Sequence, residues 1–325
     1  MQLAIISQSP ISPFLEQQGF VLLDGGLATE LERCGHNLNN NLWSASLLNE
    51  HHGEIQKVHQ SYLIAGADCI TAATYQASIP GFMDAGFSEH QAGALISKAV
   101  DIACDARDQY FLNSGSPGGL RPLVAASIGP YGAYLADGSE FRGDYVLSGQ
   151  ELRSFHEPRW EILLDSPADL FAIETIPSFR EAKVLLEMLK ASPGVSAWIS
   201  FSCADGMNIN DGTPISECVE LFAGCDQIVG IGVNCTAPQH ICSLIQQVRN
   251  KAVDKPVVVY PNSGEIYDGI HGNWKCPADP IDFGAAAVEW FDLGANLLGG
   301  CCRTEPRHIA EMKSALQNNA SRNGN

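Results

Sequence analysis

The residues that first ask for a chemical explanation are Cys301 and Cys302, set between Gly299-Gly300 and Arg303-Thr304. A short apolar run, Ala295 to Leu298, leads directly into them. Free cysteine is among the most buried residue types, so two packed thiols are one account of the pair. The other is a thiolate metal site at the end of a strand. The chain carries 11 cysteines, an odd number, spread from Cys34 to Cys302 with no CxxC pair. In a reducing compartment most of them stay free, and any special ones serve as metal ligands or in catalysis rather than in disulfides.

The choice depends on the elements that position the pair. Short β-branched or apolar runs alternate with longer amphipathic stretches. Strands are expected at Val21–Gly25, Cys69–Tyr75, Leu123–Ser127, Leu170–Glu174, Ala197–Ser202, Ile228–Asn234, Val257–Tyr260 and Asn296–Leu298. Helices are expected at about 46–65, 88–111, 148–164, 178–191, 238–249 and 280–293, with two more opening near Pro214 and Pro306. Such alternation implies parallel strands. Eight units favour an α/β (β/α)8 TIM barrel, a fold that typically takes about 250 residues. A doubly wound open sheet is the alternative, but Asp24-Gly25-Gly26 after the first strand is not a GxGxxG turn. With no dividing linker, the expectation is one barrel domain over residues 1–325, ordered from about 14 to 317, with a disordered tail from Asn318.

Chemistry in a barrel collects at the C-terminal ends of the strands. Asp24, Thr74, Tyr75, Glu174, Thr175, Asn234, Cys235, Asn262, Ser263, Cys301 and Cys302 fall there. Strands six and eight are separated by one strand in a closed barrel, so Cys235 can meet Cys301 and Cys302. Three thiolates suit Zn²⁺ and leave a fourth position for substrate, the catalytic rather than the structural pattern. Glycines before Cys301 free the backbone to turn two consecutive side chains toward one centre, which a regular strand forbids. A thiol substrate at the open position loses its proton and becomes a nucleophile at neutral pH. Such a nucleophile suits attack on a sulfonium methyl.

The whole chain from Val21 to Leu316 resembles the homocysteine S-methyltransferase family, and within it the branch using S-methylmethionine, often also S-adenosylmethionine. The resemblance is carried by DGGLATELE (24–32), NLWSA (41–45), TAATYQASIPGF (71–82), GPYGAYLADGSEFRGDY (129–145), AIETIP (172–177), GVNC (232–235), VVYPNSGE (258–265) and GGCCRT (299–304). It implies that Cys235, Cys301 and Cys302 bind Zn²⁺, and that Asp24 and Glu174 hold the homocysteine amino group. Gly25 and Gly26 would let substrate approach the backbone. Tyr75 either fills the fourth zinc position before substrate arrives or only packs in the mouth. Asn234 and Ser263 sit well for polar contacts to substrate. Trp43, Tyr131 and Tyr134 are candidates for a cation–π wall around a sulfonium. Arg303 either offsets the thiolate charge, binds a substrate carboxylate or lies at the surface.

The charge balance is consistent with this chemistry. With 19 basic and 37 acidic residues the formal charge is −18, which argues against nucleic acid or an anionic membrane as partner. No signal peptide or apolar run of about 18 residues is evident. The expectation is a cytoplasmic enzyme of small molecules, monomeric or homodimeric. Betaine is an alternative donor. A Schiff-base aldolase would need a strand-end lysine, and none falls there. A non-enzymatic alternative is a redox sensor working through a vicinal Cys301–Cys302 disulfide.

Overall fold

The computed structural model describes residues 9–38, 42–114, 119–268, 273–275 and 281–323. Eight parallel strands form the barrel: β1 (Val21–Leu22), β2 (Cys69–Thr71), β3 (Leu123–Ile128), β4 (Leu170–Ile176), β5 (Ala197–Phe201), β6 (Ile228–Asn234), β7 (Val257–Tyr260) and β10 (Ala295–Leu298). A short antiparallel hairpin, β8 (Ile266–Asp268) with β9 (Asn273–Lys275), lies in the loop after β7. The strand order is β1-β10-β7-β6-β5-β4-β3-β2. The remaining seam, β1 against β2, is closed by a parallel bridge between Leu23 and Cys69, with Asp68 N–H on Leu22 O at 2.7 Å and Asp24 N–H on Cys69 O at 3.1 Å. The expected TIM barrel is therefore the fold.

Eight outer helices follow the strands in turn, at His52–Ala65, Glu89–Asn113, Gly149–Leu164, Phe179–Lys190, Ile215–Ala223, Ile241–Lys251, Phe283–Asp292 and Pro306–Asn323. Local chemistry fixes their ends. Ser88 with Gln91, and Ser148 with Glu151, form reciprocal capping boxes, and Gly66 closes the first helix in a left-handed conformation at φ 107°. The strands are buried on both faces and so read as nearly continuous apolar runs. One apolar cluster lies inside the barrel around Val21, Ala125, Ala172, Trp198, Val258 and Leu297. A larger one fills the space between strands and helices.

Several expectations are corrected. The first strand's helix is not continuous from Ser46: a 3-10 turn at Trp43–Ser46 and a short helix at Leu47–Glu50 precede it, with a break at His51. The expected disordered tail is helical to Asn323. An additional helix, Ser12–Gln18, sends Ile11 and Phe14 into the interior cluster. Short helices after β1 (Leu27–Arg33), β2 (Ile79–Asp84) and β3 (Tyr131–Leu135) were not evident in the periodicity, because a helix of one or two turns shows too few repeats. The 113–121 loop is described only in part, since residues 115–118 lie outside the described residues.

Away from the strand C-termini, half-buried carboxylates hold the wall together. Asp169 Oδ2 accepts from Val124 N–H of β3 and from the buried Arg107 guanidinium, both at 2.8 Å. Asp68 does the same for Leu22 N–H at 2.8 Å. Removing such an acceptor strands a donor away from water. Replacing Asp169 with Ala is expected to lower unfolding free energy by about 2 kcal/mol in urea denaturation, with the folded circular-dichroism spectrum retained.

Candidate active site

The strand C-termini open into one cavity. Asp24, Gly25, Gly26, Thr71, Tyr75, Gln76, Ser127, Glu140, Glu174, Asn234, Cys235, Tyr260, Cys301 and Cys302 all line it. The sulfurs of Cys235, Cys301 and Cys302 lie within 4.8 Å of one another, and Cys235 Sγ is 3.4 Å from Cys302 Sγ. Tetrahedral zinc with four bonds of about 2.3 Å to sulfur spaces its sulfurs by about 3.8 Å, so the donor set fits a metal of that size and softness. Among the described residues this is the one cluster of three or more potential ligands. The other described cysteines are free thiols.

Backbone geometry brings the sulfurs together. Among the described residues, four that are not glycine have positive φ, and three of them surround this site: Thr175 at 60°, Cys235 at 48° and Arg303 at 65°. Such conformations cost roughly 1–3 kcal/mol each and persist only where neighbours enforce them. Here Thr175 N–H donates to Asn234 Oδ1 at 2.8 Å, and Asn234 Nδ2 donates to Thr175 Oγ1 at 2.7 Å. The same Nδ2 lies 3.9 Å from Cys301 Sγ. Cys235 N–H is held on Tyr260 O at 3.2 Å and Cys301 N–H on Pro261 O at 2.8 Å, while Arg303 N–H donates to Thr29 Oγ1 at 2.9 Å.

The glycines act differently from the expectation. Neither Gly299 nor Gly300 has positive φ; the left-handed turn falls on Arg303. What they provide is room. A Cβ on Gly300 would sit 2.3 Å from the Thr304 side chain, and one on Gly26 would sit 2.7 Å from Cys301 O. Gly25 and Gly26 line the cavity as expected, but what they admit is the thiol-bearing loop and the Tyr62 ring.

Two carboxylates share the cavity with the thiols. Asp24 Oδ2 accepts Thr71 N–H at 2.8 Å and the Thr71 hydroxyl at 3.1 Å. Burial, with a further push from the charge of Glu174, raises its pKa to about 8. Glu174 accepts the Ser127 hydroxyl on Oε1 and the Tyr260 hydroxyl on Oε2, the latter at 2.9 Å. Tyr260 is itself oriented by Trp198 Nε1–H at 3.0 Å and by the Ser200 hydroxyl at 2.6 Å. Burial raises Glu174 to about 7 despite these two bonds. In the thiol cluster, the neighbouring Cys235 and Cys301 thiols hold the Cys302 pKa down, while the same neighbours and burial hold Cys235 high.

Tyr75 lines the cavity, and burial holds its pKa far above the ordinary range. The buried Arg159 guanidinium fixes the loop that carries it, donating to Tyr75 O at 3.0 Å and Gly129 O at 2.7 Å. Asn234 lines the cavity too, with its amide engaged as described. Ser263 spends its N–H on Cys302 O at 3.0 Å and is not part of the lining. Arg303 turns to Glu265 at 2.8 Å. Tyr131 and Tyr134 stack on Phe155, away from the cavity lining, and the Trp43 side chain lies outside the described residues. Thr71, Ser127, Tyr260, Gln76 and Glu140 escaped the sequence reading. Strand two ends at Thr71, before the expected Tyr75, and Ser127 and Tyr260 were counted as strand wall rather than as inward-facing groups.

A barrel whose mouth gathers three thiols and two buried carboxylates in one cavity has the architecture of an enzyme active site. The homocysteine S-methyltransferase family model matches residues 21–316, and the chain belongs to that family. The homocysteine S-methyltransferase YbgG of Bacillus subtilis is 48% identical over 305 residues, covering 94% of this chain and 96% of that protein. The homocysteine S-methyltransferase of Escherichia coli is 45% identical over 307 residues, covering 94% and 98%. The crystal structure of the metallated form of the homocysteine methyltransferase MmuM from Escherichia coli superposes with a TM-score of 0.85 at 44% identity, covering 94% of this chain and 99% of that one. The chain is thus an enzyme, and the redox-sensor alternative falls away. No helix among the described residues is long and apolar enough to cross a membrane.

The Asn234 amide ties the strained Thr175 turn to Cys301, as outer partners of metal ligands do. Replacing Asn234 with Ala is expected to weaken divalent-metal affinity by about ten- to a hundredfold in chelator competition.

Proposed function

We propose that this homocysteine S-methyltransferase is zinc-dependent and takes its methyl group from a sulfonium donor, S-methylmethionine or S-adenosylmethionine. The observation that carries the proposal is the convergence of three cysteine sulfurs within 4.8 Å in the cavity that also holds Asp24 and Glu174. In it, residues 1–325 work as one homocysteine-binding barrel. Cys235, Cys301 and Cys302 hold the ion. Zn²⁺ in that position supplies a Lewis acid that keeps a substrate thiol deprotonated at neutral pH.

Asp24 and Glu174 take the homocysteine ammonium. The hydroxyls of Thr71, Ser127 and Tyr260 hold both carboxylates in place before substrate arrives, so little order is lost on binding. Anchored at its amino end, homocysteine directs its sulfur toward the cysteines. The thiol proton is released to solvent, the sulfur attacks the sulfonium methyl in line, and a new carbon–sulfur bond forms as the donor's breaks. The donor departs as a neutral thioether and homocysteine becomes methionine. With S-methylmethionine both products are methionine. Tyr75 borders the sulfur end of this arrangement. No covalent bond to the protein is made.

Replacing Cys301 with Ser is expected to remove stoichiometric zinc, measured by elemental analysis, together with methionine formation. A donor panel of S-methylmethionine, S-adenosylmethionine and betaine with homocysteine, read as methionine formed, tests the donor class. Predominant turnover of betaine, or full activity without zinc, overturns the proposal.

The pH dependence follows from the raised carboxylates. Asp24 at about 8 and Glu174 at about 7 carry protons below those values and must lose them to receive an ammonium. The KM for homocysteine is expected to fall as pH rises from 6 to 8. The same sign makes these groups costly to the fold. A carboxylate whose folded pKa is raised opposes folding increasingly above its unfolded pKa, and fully above the folded value. Replacing Asp24 with Asn is expected to raise homocysteine KM by about a hundredfold, while thermal stability at pH 8 is kept or improved.

A further inference from the structure

Two acceptors in the cavity lack a partner. Glu140 is 2% exposed, and its Oε2 is buried without a hydrogen bond among the described residues. Gln76 is 5% exposed; its Nε2 donates to Ala133 O at 2.8 Å, which leaves Oε1 buried and unbonded. Both line the cavity. Both are also anchored on the same short helix, Tyr131–Leu135: Gln76 through Ala133, and Glu140 by packing its backbone nitrogen against Gly132, where an added Cβ would sit 2.6 Å away. Both are thus held against one helix in the cavity wall, Gln76 next to Tyr75 in the chain, while the oxygens of Asp24 and Glu174 are engaged by Thr71, Ser127 and Tyr260.

A buried carboxylate and a buried carbonyl left unbonded are costly unless a ligand with several N–H donors and a positive charge completes them. Homocysteine brings one ammonium, which Asp24 and Glu174 receive. We propose that Glu140 Oε2 and Gln76 Oε1 form a second ammonium site, which binds the α-amino group of the methyl donor and selects sulfonium amino acids over donors that lack one. The inference rests on the sulfonium-donor reading above and names the residues that recognise that donor.

The physics of the transfer places the carboxylate at the ammonium rather than at the sulfonium. The sulfonium charge disappears as the methyl leaves, so an anion against it would hold the ground state more tightly than the transition state. The ammonium charge persists throughout, and binding there positions the donor at no cost to the chemical step. Phe141, the next residue, also lines the cavity and is 41% exposed, a neutral aromatic face for the sulfonium methyls. Burial pushes the Glu140 carboxyl up to about 7, the behaviour of a group that awaits a cation.

The test is Glu140→Gln, an isosteric change, assayed with S-methylmethionine and homocysteine each varied in turn. The expected result is a rise of about tenfold or more in the S-methylmethionine KM, with homocysteine KM, zinc content and melting temperature unchanged. Gln76→Met is expected to move the same constant in the same direction by less. Calorimetric titration of S-methylmethionine into the wild-type protein and Glu140→Gln reports the same difference without turnover. An unchanged donor KM in Glu140→Gln, or an equal rise in homocysteine KM, overturns this inference and leaves the sulfonium-donor reading standing. Wild-type protein that turns over neither sulfonium donor overturns that reading, and this inference with it.

Discussion

The structure depends on bringing three sulfurs from two strand ends into one small volume. Cys235 ends β6, and Cys301 and Cys302 follow β10, with β7 between them. A strand sends consecutive side chains to opposite faces, so neither the vicinal pair nor the strand-end cysteine can reach the centre from regular backbone. The left-handed φ at Cys235 and Arg303 is the consequence. The surrounding hydrogen bonds enforce it: Cys235 N–H on Tyr260 O, Cys301 N–H on Pro261 O, Ser263 N–H on Cys302 O and Gly300 N–H on Asp24 O. Tyr62 reinforces the loop from the first outer helix, donating to Thr304 O at 3.0 Å. Each strained residue is over-determined by the barrel wall, which is how strain survives at a functional site.

Electrostatics adds a second tension. Asp24, Glu174 and Glu140 are carboxylates in a cavity shared with three thiols, in a chain of formal charge −18. Among the described residues, none of the three carboxylates is matched by a protein cation in hydrogen-bond contact. Burial raises all three pKa values, because a charged carboxylate in this cavity is short of solvent. The difference between Glu174 and Glu140 is instructive. Glu174 is held by Ser127 and Tyr260, whereas Glu140 Oε2 has no hydrogen-bond partner among the described residues. One is preorganised and the other waits for its ligand to complete it.

Much of the fold was legible in the chain. Ile228–Asn234 and Val257–Tyr260 have the expected bounds, because fully buried parallel strands write themselves as unbroken apolar runs. The helix expected from about 88 begins there because Ser88 and Gln91 cap it through contacts only three residues apart. What was not legible depends on contacts distant in sequence. The hairpin after β7, the helices of one or two turns and the break at His51 have no periodicity long enough to read. The expected freedom of Gly299 and Gly300 turned out to be space, because the atoms they make room for belong to Leu23, Asp24 and Thr304.

For the site, the sequence by itself determined which chemistry is available. Cysteines at strand ends, carboxylates after apolar runs and eight family motifs in order need only residue type and spacing. The tertiary structure decided which of these groups meet and which are already engaged. It placed Asn234 on Thr175, turned Arg303 to Glu265, and brought Tyr260 and Ser127 onto Glu174. It also left Glu140 Oε2 and Gln76 Oε1 without a hydrogen bond among the described residues. Hydrogen-bond satisfaction is a property of distances between atoms far apart along the chain, and no local pattern records it.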